Sequence, residues 1–272
     1  MPSRKLVGVV AAAALVTGCG TTPKRSENSH QVAFSAGLGT KVVFVSARRV
    51  APRAARCSPR ATVSGSRTVA YAAVLKKQVV ARATPQARGK VVAEVAPTTP
   101  NGFPQVLGIL GAHRGRTCRV DWYRVQLPIL PNGSSGWVRV WTVKAFAVRS
   151  RIVVDVSQRR LQLFRSGQPV MTEPVAVGAP STPTPTGRYV VNERYVLPDE
   201  TGPFGPAALG ISAHSDALAH VWVQDGPIGI HGTNEPWSIG KAASHGCIRL
   251  ANSPMRRLFK LAPAGTPVVV RP

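Results

Sequence analysis

Residues 230–250 read Ile230-His231-Gly232-Thr233-Asn234-Glu235-Pro236-Trp237-Ser238-Ile239-Gly240-Lys241-Ala242-Ala243-Ser244-His245-Gly246-Cys247-Ile248-Arg249-Leu250. Two histidines, a cysteine and an arginine fall in this one stretch, with a glycine directly after each histidine. A cysteine attacks as thiolate, so a nucleophilic Cys247 needs a base within hydrogen-bond reach. Imidazole is the side chain best matched to take that proton near neutral pH and to return it to a leaving amine. Acyl transfer also needs donors for the developing oxyanion, and the backbone N–H groups of Gly246 and Cys247 are candidates. His245 lies two residues before Cys247, so in an extended strand both side chains face the same way, which makes it a geometric rival to His231 as base. His231, His245 and Cys247 as zinc ligands form another reading, but a fourth ligand at the usual spacing is missing and neither Asp225 nor Glu235 is well placed.

Working outward, residues 149–272 read as mostly β. Ile152 to Val156 is a predicted strand, Ser157 to Arg160 a turn, Leu161 to Phe164 a strand, Ser166-Gly167 a turn and Pro169 to Val177 a third strand, together a β-meander. One helix reads well, with Ser253 as N-cap, Pro254 at its first position and Met255, Leu258 and Leu261 on one face. Pro263 and Gly265 end it, and Thr266 to Val270 is a last strand. Trp222, Tyr195 and Trp237 are read as packing residues rather than groove walls. His214 and His220 have no assigned role.

His231-Gly-Thr, Ile239-Gly, Ser244-His-Gly-Cys-Ile-Arg249, Pro183-Thr-Pro-Thr-Gly187 before the Tyr189 strand and the closing Gly265-Thr-Pro-Val-Val269 together resemble the L,D-transpeptidase (YkuD) catalytic domain family over residues 149–272. The resemblance implies a β-rich catalytic domain with one main helix. It implies Cys247 as nucleophile, His231 as general base and acid, and the Gly232 carbonyl as the group orienting that imidazole. Ser244, His245, Gly246 and Arg249 fall on motif positions that shape the site, His245 and Gly246 in the oxyanion region. The implied reaction joins peptidoglycan stem peptides by 3→3 crosslinks through a cysteinyl acyl-enzyme, without metal or organic cofactor, and carbapenem-type β-lactams would acylate the same thiol. An L,D-carboxypeptidase and a protein-to-peptidoglycan ligase are alternatives on the same fold. A non-catalytic wall-binding lipoprotein is the alternative of another class.

Residues 67–148 read as a small β module. Apolar stretches at 69–75, 79–81 and 91–95 alternate with the turn signals Pro100-Asn-Gly102 and Pro131-Asn-Gly133. Trp122-Tyr-Arg-Val-Gln-Leu-Pro128 and Gly136-Trp-Val138 resemble bacterial SH3-like wall modules, whose β-barrel would act as a spacer presenting the second domain.

Residues 1–18 read as an export signal: Arg4 and Lys5, then the apolar run Leu6 to Val16, too short to span a bilayer. Val16-Thr-Gly-Cys19 resembles the lipobox of bacterial lipoproteins, in which a lipidated Cys19 would anchor the chain to the outer face of the cell membrane. Residues 19–66 are expected to be a tether and a basic stretch with a strand candidate at Lys41 to Ser46. Outside the cytosol a Cys57–Cys118 disulfide is the expected use of the remaining cysteines, against the alternative of Cys247 pairing with one of them.

The 272 residues carry a net charge of +24, with 25 Gly and 24 Pro favouring turns and short strands over long helices. The charge is lopsided: residues 1–150 hold 23 Lys and Arg against Glu27, Glu94 and Asp121, whereas residues 151–272 hold 12 against 8. The basic residues are scattered singly, and no RNA or DNA motif accompanies them, which speaks against nucleic acid. An anionic envelope polymer or lipid, or a solvated basic face, accounts for them.

Overall fold

The computed structural model describes residues 65–218 and 226–272, together with the backbone of a two-residue strand, β1 (Arg60–Ala61). All of these fall in one compact unit, residues 54–272. The export signal, Cys19, the Lys41 to Ser46 strand and Cys57 lie outside the described residues, as do His220, Trp222 and Asp225.

The N-terminal β module contains β2 (Ala70–Leu75), β3 (Val79–Arg82), β4 (Val91–Val95), β5 (Val106–Arg114), β6 (Val120–Gln126), β7 (Ser135–Arg139) and β8 (Val143–Val148). They pair antiparallel in the order β4-β3-β7-β6-β5-β2-β8, with β1 on β5. Period-two burial builds the core, as Val79 and Ala81 turn in while Val80 turns out. Leu107, Val125, Leu127 and Val138 complete it. The long β5 is not evident in the apolar pattern, because Gly108 and Gly111 interrupt it. Gly108 faces Val190, whose side chain a Cβ on it would meet at an ordinary contact distance of 3.6 Å. Cys118 sits in the β5–β6 turn at φ +63.

The second half contains β9 (Ser150–Asp155), β10 (Arg160–Arg165), β11 (Gln168–Pro174), β12 (Val177–Gly178), β13 (Gly187–Val196), β14 (Ala207–His214), β15 (Pro227–His231), β16 (Ala242–Ser244), β17 (Ile248–Arg249), α1 (Asn252–Leu261) and β18 (Pro267–Arg271). The main sheet runs β11-β10-β9-β18-β13-β14-β15-β17, and β12 pairs with β16. The expected meander is β9-β10-β11. The main sheet is mixed, since β9·β18 and β15·β17 are parallel, and the separate β12·β16 pair is parallel too. Helix α1 buries Met255 and Leu258 against a core that includes Leu209, Ile230 and Ile248.

The helix begins two residues earlier than predicted. Ala251 precedes it without a side-chain cap, and Ser253 is inside it. Pro254 still falls in the first turn, where its missing N–H has no intrahelical acceptor to lose. The Asn252 side chain is occupied elsewhere, accepting the N–H of Thr233 at 2.8 Å.

The two sheets are joined by a single residue, Arg149, between Val148 and Ser150. Both asparagine turns of the N-terminal module reach across to the second half. Asn101 donates to Glu193 and, at 2.8 Å, to the Tyr195 hydroxyl. Asn132 exchanges two hydrogen bonds with the His214 backbone, and His214 Nε2 lies 3.2 Å from the Pro128 carbonyl. Gln126 donates to the Arg188 carbonyl. Gly265, at φ +87, lies so close to Ala72 and Phe146 that a Cβ on it would come within 2.6 Å of the Ala72 Cβ.

Candidate active site

The parallel pairing of β15 with β17 assembles the site. Ile230 lies opposite Ile248, and His231 opposite Arg249. Both isoleucines are fully buried in the core. Alternation therefore sends His231, Cys247 and Arg249 to the other face of the sheet. The same register sets Gly229 across from Cys247, and the Gly229 N–H donates to Cys247 Sγ at 3.4 Å. Cys247 is a free, half-buried thiol, which removes the reading that pairs it with another cysteine.

His231 is 4% exposed. Its Nδ1 lies 2.6 Å from the Gly232 carbonyl oxygen. A carbonyl only accepts, so Nδ1 carries the proton and donates it, leaving the lone pair on Nε2. Gly232 thus occupies the position expected of an orienting group. Burial pushes the His231 pKa down to about 4, with Arg249 adding to the fall and the Gly232 contact opposing it. Burial pushes the Cys247 thiol up, against the Gly229 N–H and the Arg249 charge, which favour thiolate. Arg249 is itself paired through Nη1 with Glu235.

The turn before the cysteine is shaped by Ser244, which is 2% exposed. Its Oγ donates to the Cys247 carbonyl at 2.6 Å and accepts the Gly246 N–H at 3.2 Å. Of the two amides expected as oxyanion donors, that of Gly246 is thereby engaged, and that of Cys247 is the other. Strand β16 ends at Ser244, and Gly246 takes φ +111. The extended-strand premise that aligned His245 with Cys247 therefore does not hold, and His245 is exposed. Residues 178–187 strap this turn down. Thr184 Oγ1 donates to the Gly246 carbonyl and accepts the Gly178 N–H, both at 2.8 Å, and Thr182 Oγ1 donates to the Ser244 carbonyl at 3.1 Å.

Several residues at the site carry no signal in the motif. Asn252 holds the Thr233 amide, and its Oδ1 would obstruct a Cβ on Gly232 at 2.5 Å. The β13–β14 loop brings Phe204 edge-on to the His231 ring, centroids 4.9 Å apart at 73°. Tyr195 packs edge-on against Phe103, as expected of a packing residue. Trp237 does not: it is 60% exposed, with Lys241 Nζ 5.4 Å from its ring, because the Pro236–Ser238 turn lifts it off the core. Among the described residues no three His, Cys, Asp or Glu side chains are grouped as a metal site.

The thiol that directly precedes β17 and the imidazole that ends the parallel strand β15 thus share one face of a mixed sheet. The chain belongs to the YkuD family: the family model for the L,D-transpeptidase catalytic domain matches residues 149–270. A putative L,D-transpeptidase YkuD of Bacillus licheniformis is 40% identical over 122 residues, which are 45% of this chain and 66% of that protein. The Bacillus subtilis protein of the same name is 36% identical over 125 residues, 46% of this chain and 68% of its own. The chain thus spans about two thirds of the length of these two relatives. A crystal structure of L,D-transpeptidase 3 from Mycobacterium tuberculosis, in complex with a faropenem-derived adduct, is 19% identical, with a TM-score of 0.37, covering 53% of this chain and 76% of that one.

Proposed function

We propose that the protein is a peptidoglycan L,D-transpeptidase that forms 3→3 crosslinks through a Cys247 thioester. The observation that carries this reading is the pairing of β15 with β17, which turns Cys247 and His231 to one face with Nδ1 of the base tied to Gly232. In the first step Cys247 Sγ attacks the carbonyl of the third residue of a tetrapeptide stem while its proton passes to His231 Nε2. The C–S bond forms, the C–N bond to the terminal D-Ala breaks, and His231 returns the proton to the leaving amine. In the second step the side-chain amine of a neighbouring stem attacks the thioester. His231 takes the amine's proton and delivers it to the departing sulfur, which restores the thiol. The Cys247 amide faces the developing oxyanion as donor.

Incubation with disaccharide tetrapeptides and mass analysis of the products tests this. A crosslinked dimer lighter by one D-Ala is expected from the wild type and none from Cys247→Ala. Loss of D-Ala without dimer, even with excess acceptor, would make the protein an L,D-carboxypeptidase instead. A carbapenem is expected to add its mass to Cys247 alone. An unmodified thiol after prolonged incubation would sink the acyl-enzyme.

The same proposal includes the rest of the chain. Cys19 carries the lipid anchor that holds the enzyme at the outer face of the membrane, Cys57 pairs with Cys118, and residues 67–148 are an SH3-like spacer facing the wall. Anionic wall polymers or lipids are the partners of the basic N-terminal half, which supports this with its 23 Lys and Arg. Protein recovered from membranes should show a diacylated N-terminal cysteine and titrate one thiol per denatured chain. Four titratable thiols, that of Cys19 included, on a water-soluble chain would reject both anchor and disulfide.

A further inference from the structure

We propose that Phe204 is a positioning residue for His231, holding the imidazole in the one orientation that the Gly232 carbonyl selects. The inference rests on the reading of His231 as the base. A single hydrogen bond at Nδ1 fixes one end of an imidazole but leaves the ring free to rock about that contact, and a base 1 Å out of place loses much of its effect. Something must close the remaining freedom, and the ring of Phe204 stands edge-on to the imidazole at 4.9 Å. Phe204 itself is 49% exposed, so core packing does not account for an apolar ring there.

The loop that carries it is fitted to the base, not merely adjacent. Gly205 takes φ +60, and a Cβ on it would run into Asn252 Oδ1 and come within 2.8 Å of both the Gly232 Cα and the Thr233 amide nitrogen. The same Asn252 Oδ1 accepts the Thr233 N–H, while Asn252 Nδ2 donates to the Glu200 carbonyl of the loop at 3.2 Å. One asparagine thus ties together the turn after the base and the loop bearing Phe204. The Asp199 carboxylate receives the Thr201 N–H and hydroxyl, which turns the chain about Glu200, the residue that Asn252 holds. Phe204 also removes water from one side of the imidazole, in keeping with the depressed His231 pKa.

The test reads the base directly. Histidine-labelled full-length protein, titrated by NMR, gives the tautomer and the titration midpoint of His231 with no substrate present. The charged group acting on that ring is Arg249, paired with Glu235, and Glu200 on the Phe204 loop is paired with Arg256. None of them is altered by substituting Phe204. Wild type should show a single Nδ1–H tautomer. Phe204→Ala should mix the tautomers, move the midpoint up by about one unit toward the ordinary histidine value, and slow acylation of Cys247 about tenfold. Phe204→Tyr, which keeps the ring edge, should restore all three. If Phe204→Ala melts early, Phe204→Leu fills the loop without a ring and should shift tautomer and midpoint in the same direction. A Phe204→Ala or Leu protein that keeps one tautomer and the wild-type midpoint overturns the proposal. Absence of acylation in every protein, wild type included, would refute the function proposed above, and the tautomer measurement would still decide this one.

Discussion

At Cys247 and His231 burial acts on two groups with opposite charge habits, and both end neutral. The thiol is raised and the imidazole is lowered, so the resting site holds SH and neutral imidazole, not an ion pair. Alkylation of Cys247 by iodoacetamide should therefore keep rising with pH beyond the ordinary thiol range, and a plateau near pH 6 would mean a preformed thiolate. His231 also links stability to pH. Its folded pKa, about 4, lies below the unfolded value of 6.5, so the unfolded chain binds the proton first as pH falls. The contribution is whole above pH 6.5 and is lost between 6.5 and 4, a change on the order of 3 kcal/mol. Urea midpoints of wild type and His231→Gln at pH 7.5 and 5 check it. The wild type should lose more than the variant over that interval, and equal losses would contradict a buried neutral imidazole.

Between residues and fold stands the strap of residues 178–187 over the turn of residues 244–247. Thr184 is 4% exposed and satisfies one buried carbonyl and one buried amide at once. Thr184→Val keeps the shape and leaves both unpaired, so it should destabilise by about 1–3 kcal/mol in denaturant unfolding. Acylation should fall more than stability alone explains, because the Gly246–Cys247 peptide loses its anchor. Wild-type acylation by Thr184→Val would show that the strap serves folding only. The two partners of this contact also mark what a sequence can disclose. Cys247, His231 and Gly232 are legible because their chemistry is written in one continuous stretch. Thr184, Asn252 and Phe204 act across 62, 19 and 27 residues of chain, and no local pattern announces such a contact. The β9-β10-β11 meander is legible for the same local reason, through its turns at Ser157–Arg160 and Ser166-Gly167. The parallel pairs are not, since alternation tells which face a strand buries but not which distant strand lies beside it. Helix α1 is legible in its apolar face and misread at its start, where a tertiary contact claims the Asn252 side chain.

For the molecule as a whole, the contact between the two sheets is continuous enough to make them melt together. Asn101, Gln126 and Asn132 bridge the modules by hydrogen bonds, and Gly265 meets Ala72 and Phe146 without room for a methyl group. Gly265→Val adds a clash at a position with φ +87, so calorimetry should split one transition into two. A single unsplit transition, merely lowered, would mean that the interface contributes little to cooperativity. The one-residue passage through Arg149 carries this further. A lone residue spans at most about 3.6 Å, which is too short to serve as a wrist. The thiol is therefore aimed relative to the N-terminal module by the build of the protein, as a chisel is aimed by its handle.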